Sequence, residues 1–254
     1  MVARLASPQM KLVALIPARW ASSRFPGKPL ALIRGRPMVE HVYRRALAIP
    51  DIDEVHIATD SLEIQKAALG FGGQVVLTKP EHLSGSDRLA EASDILKLAD
   101  EDIVLNIQGD QPVFDPDHPA LLARALKEDP DLEMATLAIA MTTARDILNP
   151  DHVKVAFGEN RFALYFSRAP IPWPRDGEGE YYRHIGIYAY RAAFLRRFVV
   201  FPEGRLERLE RLEQLRALEN GARIKVITVS GLSPEVDVPA DLSAAEEALQ
   251  RESH

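Results

Sequence analysis

After Lys11 the chain runs Leu12-Val13-Ala14-Leu15-Ile16 and stops at Pro17. A continuous apolar run of this length, without polar alternation, is the pattern of a strand covered on both faces, as in a parallel sheet. Mostly apolar stretches at 55–58, 75–77 and 103–107, broken only by His56 and Asn106, predict three more such strands, and helical spacing predicts helices over about 37–48, 61–69 and 86–98 between them. Strand and helix in alternation imply right-handed crossovers, with helices on both faces of one sheet. A ligand of such a sheet binds beyond the carboxyl ends of its strands.

The pattern changes after about residue 130. Strand-like stretches at 134–140, 153–157, 162–166 and 185–190 follow one another without long helices. They predict antiparallel material, read here as an insertion covering one edge of the ligand site. A helix over about 206–219, a strand at 224–229 and a last helix from about 240 complete the chain. In the first of these helices Leu206, Leu209, Leu212, Leu215 and Leu218 recur every three residues. On a 3.6-residue helix that spacing drifts around the cylinder, so it predicts a wide apolar surface, packed in the core or, alternatively, partly given to a contact with a second copy. Glu207 and Arg211 are spaced as an i,i+4 pair. The turn-rich stretch 170–179 reads as a mobile surface loop. Repeats and low-complexity linkers are absent, so residues 10–250 read as a single domain and residues 1–9 as a disordered extension.

Composition narrows the class. The sequence has 254 residues and no cysteine, which excludes disulfides, thiolate metal sites and a cysteine nucleophile. Any metal must then use oxygen or imidazole ligands. A net charge of -6 argues against a nucleic-acid coat or a polybasic membrane anchor. No apolar stretch approaches the ~18 residues of a membrane span, and the first ten residues lack a signal-peptide core. A cytoplasmic protein is expected.

Two places carry candidate chemistry. The first is the loop after the first strand, Pro17 to Leu30, which holds Arg19, Arg24, Lys28, Ser22, Ser23 and Gly27. Guanidinium forks, an ammonium and close-approaching backbone amides are what a polyphosphate requires. The loop is neither a Walker A sequence nor G-x-G-x-x-G, which disfavours a P-loop ATPase. A plain basic surface loop is the alternative. The second is a pair of distant carboxylates, Asp110 in Gln108-Gly109-Asp110 after the 103–107 strand and Asp237 in Glu235-Val236-Asp237. Both fall at strand ends, where two acids together with phosphate oxygens hold a magnesium ion. A turn role for Asp110 and a helix-cap role for Asp237 are the alternatives, and Asp241 reads as a cap.

Taken in order, Ile16-Pro17-Ala18-Arg19, Arg24-x-Pro26-Gly27-Lys28-Pro29-Leu30, Ala58-Thr59-Asp60, His82-x-Ser84-Gly85-x-x-Arg88, Gln108-Gly109-Asp110, Tyr165-Phe166-Ser167-Arg168, His184-x-Gly186-x-Tyr188, Leu212-Glu213-Gln214-Leu215 and Val236-Asp237-x-Pro239 resemble the 3-deoxy-manno-octulosonate (Kdo) cytidylyltransferases. The resemblance spans Lys11 to about Leu249. It implies a nucleotide-diphospho-sugar transferase fold, α/β with a mostly parallel central sheet. It further implies a homodimer that converts CTP and a 2-keto-3-deoxy sugar acid into the CMP-sugar and pyrophosphate, the activation step before lipopolysaccharide assembly. Position by position it implies that Arg19, Arg24 and Lys28 clamp the triphosphate, with Ala18 and Ser22 in the same loop. Asp60, Ser84, Gly85 and Arg88 then face the cytidine, and Gln108 and Asp110 sit where nucleotide and Mg2+ meet. Asp237 is the second metal ligand, and Arg168, His184, Tyr188, Glu213 and Gln214 form the sugar-acid pocket. Arg19, Lys28, Asp110 and Asp237 carry catalysis.

The chain departs from that pattern at Val238 and Ser86, where threonine is common, and at Gln111, where glutamate is frequent. The last change removes a negative charge near sugar and metal, so the 8-amino analogue of Kdo is a second candidate acceptor. Sialic acid activation is a third reading, disfavoured by His184 and Glu213-Gln214. A noncatalytic nucleotide-binding module is disfavoured by retention of both Asp110 and Asp237. A metal-dependent glycosyltransferase would show Asp-x-Asp after the central strand.

Overall fold

The first apolar run forms β1 (Leu12–Ala18), with every residue buried except the half-buried Pro17. In the computed structural model residues 10–20, 25–82, 84–177, 179–231 and 234–251 are described. Ser22, Arg24 and the 1–9 extension lie outside them. A 3-10 turn at Lys28–Leu30 leads into a small hairpin, β2 (Leu32–Ile33) and β3 (Arg36–Pro37). The alternating part follows as α1 (Met38–Ala46), β4 (Glu54–Thr59), α2 (Leu62–Gly70), β5 (Val75–Leu77), α3 (Gly85–Ile95) and β6 (Ile103–Asn106). Next come α4 (Asp117–Glu128), β7 (Met134–Met141), α5 (Ala144–Leu148), β8 (Lys154–Phe157), β9 (Ala163–Ser167), β10 (Tyr181–Arg191) and α6 (Ala192–Phe198). The chain closes with α7 (Arg205–Glu210), α8 (Gln214–Glu219), β11 (Ile224–Val229), a 3-10 turn at Pro239–Asp241 and α9 (Leu242–Arg251).

The main sheet runs β11-β7-β10-β6-β1-β4-β5. Strands β6, β1, β4 and β5 are mutually parallel, as their largely apolar sequences and the intervening helices predict. Successive residues of a strand point to opposite faces. Accordingly Leu12, Ala14 and Ile16 join Val42, Ile64 and Leu122 in one core, whereas Val13 and Leu15 join Leu89, Leu195 and Leu215 in another. Helices thus cover both faces.

Two expectations are corrected. The antiparallel strands are not all an insertion, because β10 pairs with β6 and β7 inside the main sheet, and β11 pairs parallel to β7. Only β8 and β9 stand off the main path, attached through β10. The helix expected over 206–219 is two helices, α7 and α8, separated at Arg211, whose φ of 55° ends α7 in the left-handed region. A leucine every third residue cannot stay on one face of a single 3.6-residue helix, and the break re-phases it. Leu212 and Leu215 are buried while Leu209 is left exposed. The break also dissolves the expected Glu207–Arg211 pair, and Glu207 instead takes two hydrogen bonds from Arg216, at 2.9 and 2.7 Å.

What positions the site is the place of β1. Its first parallel neighbour along the chain, β4, lies on one side and β6 on the other, so the order reverses at β1. Such a switch point opens a crevice at the carboxyl ends of the strands. Arg19, Asp60 and Gln108 follow those three ends directly or within two residues.

Candidate active site

At that crevice lies a cleft of about 290 Å³ lined among others by Arg19, Lys28, Ser84, Arg88, Asp110 and Asp237, residues from five separate stretches of the chain. Ala18, Gly85 and Gln108 also line it. Each stretch has a local reason to be there. Gly27, at φ 69°, turns the chain into the Lys28–Leu30 turn, and its amide donates back to the Trp20 carbonyl at 3.2 Å. Gly109 lets the β6 loop lie against β1, since a Cβ at that position would stand 2.7 Å from the Pro17 carbonyl oxygen. Ser84 caps α3 by accepting from the Asp87 amide while Asp87 accepts from the Ser84 amide, a reciprocal box that fixes this helix start at the cleft. The positive end of the helix dipole there favours an anion.

The two remote acids meet. Lys28 Nζ lies 2.7 Å from Asp110 Oδ2 and 3.5 Å from Asp237 Oδ1. A backbone bond from Val236 N to the Asp110 carbonyl (2.9 Å) brings the C-terminal segment to the β6 loop. Asp241, expected to cap the last helix, instead closes the start of the 3-10 turn before it: its Oδ2 accepts from the amides of Asp237 and Val238 at 2.8 and 2.9 Å. Asp237 itself lines the cleft.

On the far wall Arg88, almost fully buried, lies 3.3 Å from Asp60 Oδ2 and donates to Thr78 Oγ1. The second oxygen of Asp60, Oδ1, is buried with no hydrogen-bond partner among the described residues. A buried acceptor of this kind fits a ligand N–H, because leaving it unpaired costs about 1–3 kcal/mol.

The residues expected to hold a sugar acid are dispersed. His184 and Tyr188 share one face of β10, as their even spacing predicts, with ring centroids 5.3 Å apart. Gly186 between them lies against Gln108, which sets this wall beside the cleft. Thr136 has one hydroxyl hydrogen, directed at the Ile187 carbonyl (2.9 Å), so its Oγ1 accepts from His184 Nε2–H at 3.0 Å. Burial, reinforced by Arg183, pushes the His184 ring down to about 3, and it is neutral at physiological pH. Burial likewise holds Tyr188 well above the ordinary phenol value.

Glu213 is half-buried and accepts from Ser86 Oγ at 2.8 Å, while its Oε1 is buried and unpartnered among the described residues. Burial raises its pKa against the opposing hydrogen bonds of Ser84 and Ser86. It lines a second cleft, of about 630 Å³, which shares Ser84 with the first. Gln214 is buried at the start of α8. Arg168 lines neither cleft. Its guanidinium donates to the carbonyls of Glu210 (2.9 Å) and Pro150 (3.1 Å), because the end of α7 runs past the end of β9.

Among the described residues no cluster of three or more His, Asp or Glu side chains could hold a metal unaided. Asp110 and Asp237, both beside one ammonium, are two hard oxygen donors. Magnesium is commonly held by one or two carboxylates, with substrate phosphates and water completing the shell, so the pair fits that ion. Sequence reasoning missed the direct contact of Lys28 with both acids. It also missed Glu235 and Arg183, which stand 3.6 Å apart beside them. Nothing in linear spacing signals a contact made across 200 residues.

A cationic, two-carboxylate cleft at the switch point of an α/β sheet defines a protein built to handle a nucleotide polyphosphate. The chain belongs to the cytidylyltransferase family, whose profile it matches over residues 13–224. It is 50% identical over 94% of its length to a 3-deoxy-manno-octulosonate cytidylyltransferase of Syntrophus aciditrophicus (strain SB), covering 97% of that protein. It is 47% identical, over 94% of its length and 99% of the relative, to an 8-amino-3,8-dideoxy-manno-octulosonate cytidylyltransferase of Shewanella sp. (strain W3-18-1). A solved structure of CMP:2-keto-3-deoxy-manno-octonic acid synthetase complexed with CTP superposes with a TM-score of 0.90 at 42% identity, covering 95% of this chain and 99% of that one.

Proposed function

We propose that this chain transfers the cytidylyl group of CTP to 3-deoxy-manno-octulosonate, forming CMP-Kdo and pyrophosphate for lipopolysaccharide assembly. The observation that carries the reading is the meeting of Lys28, Asp110 and Asp237 in one cleft. The relatives' names and the CTP complex of a structural neighbour support the substrates.

The anomeric hydroxyl of the sugar acid attacks the α-phosphorus of CTP in line and gives its proton to solvent water, and the bond from that phosphorus to the bridging oxygen breaks. Negative charge grows on the departing pyrophosphate. Arg19 and Lys28, preorganised on the cleft, stabilise that charge more in the transition state than in the ground state. The α3 N-terminus at Ser84 and Gly85 adds oriented amides. Asp60 and Arg88 hold the base, with Asp60 Oδ1 accepting the cytosine amino group. His184 and Tyr188 form the wall against which the sugar acid lies, and Glu213 and Gln214 extend it. Arg168 serves this wall through the β9 end rather than by reaching into either cleft. Asp110 and Asp237 would hold Mg2+, which supplies Lewis-acid polarisation of the α-phosphate when bound. Ser22 and Arg24 join the triphosphate loop in this reading.

The working form is a homodimer in the cytoplasm, supported by the exposed Leu209 that the leucine-rich segment leaves outside the core. No helix among the described residues is long and apolar enough to cross a membrane. The acceptor follows from a panel: pyrophosphate release with CTP and Mg2+, using Kdo, its 8-amino analogue or sialic acid. Kdo is expected to give the highest kcat/KM. Preference for the 8-amino sugar would move the assignment to that acceptor, and release without any sugar acid would replace transfer by hydrolysis.

A further inference from the structure

Three side chains outside the assigned set converge on one oxygen. Gln111 Nε2 donates to Glu235 Oε1 at 3.0 Å, and Arg183 lies 3.6 Å from that same oxygen. Gln111 follows Asp110 immediately, and Glu235 precedes Asp237 by two residues. The contact therefore joins the two segments that carry the paired acids, alongside the Val236–Asp110 backbone bond. Arg183 brings in a third element, β10.

Gln111 is 1% exposed and its Oε1 has no partner among the described residues. A carboxylate only accepts, so Glu235 dictates which end of the amide faces it and leaves the carbonyl end unsatisfied. Unpaired buried carbonyls are costly, so a space-filling role is better met by an apolar side chain. The arrangement instead gives orientation. It fixes the two loops against each other at the point where Asp110 and Asp237 approach Lys28. Glutamate at 111 would set two carboxylates about as close as an ordinary hydrogen bond, with two more acids nearby, and would push the loops apart.

We propose that Gln111, Glu235 and Arg183 are positioning residues that hold Asp237 in register with Asp110 for a divalent cation. The inference rests on the cytidylyltransferase reading above. Supporting groups behind metal ligands typically change metal affinity by about 10- to 100-fold when removed. Glu235→Ala is accordingly expected to raise the Mg2+ concentration for half-maximal activity by about 10-fold, with kcat at saturating Mg2+ within about 3-fold of the parent. CTP affinity in EDTA should stay within about 2-fold, because the strap bears on the acids and not on the cations. Gln111→Glu should raise the Mg2+ requirement as well, and the reciprocal Gln111→Glu/Glu235→Gln exchange should return it to within about 3-fold of the parent, since donor and acceptor are restored with roles swapped.

Two measurements read this, Mg2+ dependence of turnover and calorimetric titration of Mn2+ into the enzyme with CTP. Thermal melts check folding. If Glu235→Ala fails to fold, Gln111→Glu and the exchange, which preserve volume, carry the comparison. An unchanged metal requirement in the single variants, or an exchange no better than Gln111→Glu alone, overturns the proposal. A parent enzyme that makes no CMP-sugar overturns the parent reading instead, while the Mn2+ titrations still score the strap.

Discussion

Asp110→Asn is expected to lower kcat by about 10²- to 10³-fold at saturating Mg2+, the several kcal/mol carried by a well-placed metal ligand, while CTP binds within about 3-fold of the parent affinity. Asparagine keeps the volume and still offers an oxygen to the Lys28 ammonium, now at 2.7 Å from Asp110 Oδ2, so the fold should persist. What it loses is the negative charge that a hard cation requires. The affinity of CTP rests on other groups: Arg19, Lys28, the α3 N-terminus and the Arg88 wall line the same cleft. Steady-state turnover paired with calorimetric CTP titration separates these contributions. A variant with parental kcat would remove Asp110 from the chemistry.

Lys28→Met should split two properties in opposite directions. In the free protein the ammonium stands beside the two acids, at 2.7 and 3.5 Å, where the proposed divalent cation would also sit. In that reading ammonium and metal compete for one place. Methionine preserves much of the apolar stem and removes the competing ammonium, so Mn2+ is expected to bind the nucleotide-free variant about 10-fold more tightly. Turnover is expected to fall by about 10²-fold or more, because the departing pyrophosphate loses a preorganised cation. Mn2+ titration without nucleotide and kcat with saturating substrates are the two readouts. Weaker Mn2+ binding together with lost turnover would instead place Lys28 in the architecture of the acids.

Much of the fold can be read from the chain because β1 and β6 are buried on both faces and show it as apolar runs, broken in β6 only by its last residue, Asn106. Other elements hide for physical reasons. Helix α4 carries Pro119 in its first turn, tolerated there because that amide has no intrahelical partner, yet proline dilutes the helical signal. Lys154 is a fully buried charge on β8 that reads as a surface residue; its ammonium is satisfied by the carbonyls of Asn149 and Arg168. The 206–219 segment looked continuous because nothing in its composition marks Arg211 as left-handed.

The site divides the same way. Arg19, Gln108 and Asp110 follow the ends of β1 and β6, which are neighbours in the sheet, while Lys28, Ser84 and Arg88 reach the same cleft from the turn and helix around it; Asp237, expected at a strand end, stands instead in irregular chain eight residues beyond β11. The sugar-acid set is less legible, since Arg168, Glu213 and Gln214 depend on how α7 and α8 break and turn. The Glu235–Gln111–Arg183 contact has no linear signature, as it forms only when the C-terminal segment lies across the β6 loop.

The central claim is that one CTP lies between the cations and the paired acids. The most direct test is a crystal structure with Mn2+ and CTP bound, using anomalous scattering to locate the metal. One manganese peak is expected beside Asp110, Asp237 and the phosphate oxygens, with the Lys28 ammonium moved from the acids onto the β- or γ-phosphate. A triphosphate bound away from Lys28, or manganese coordinated by neither acid, would contradict it.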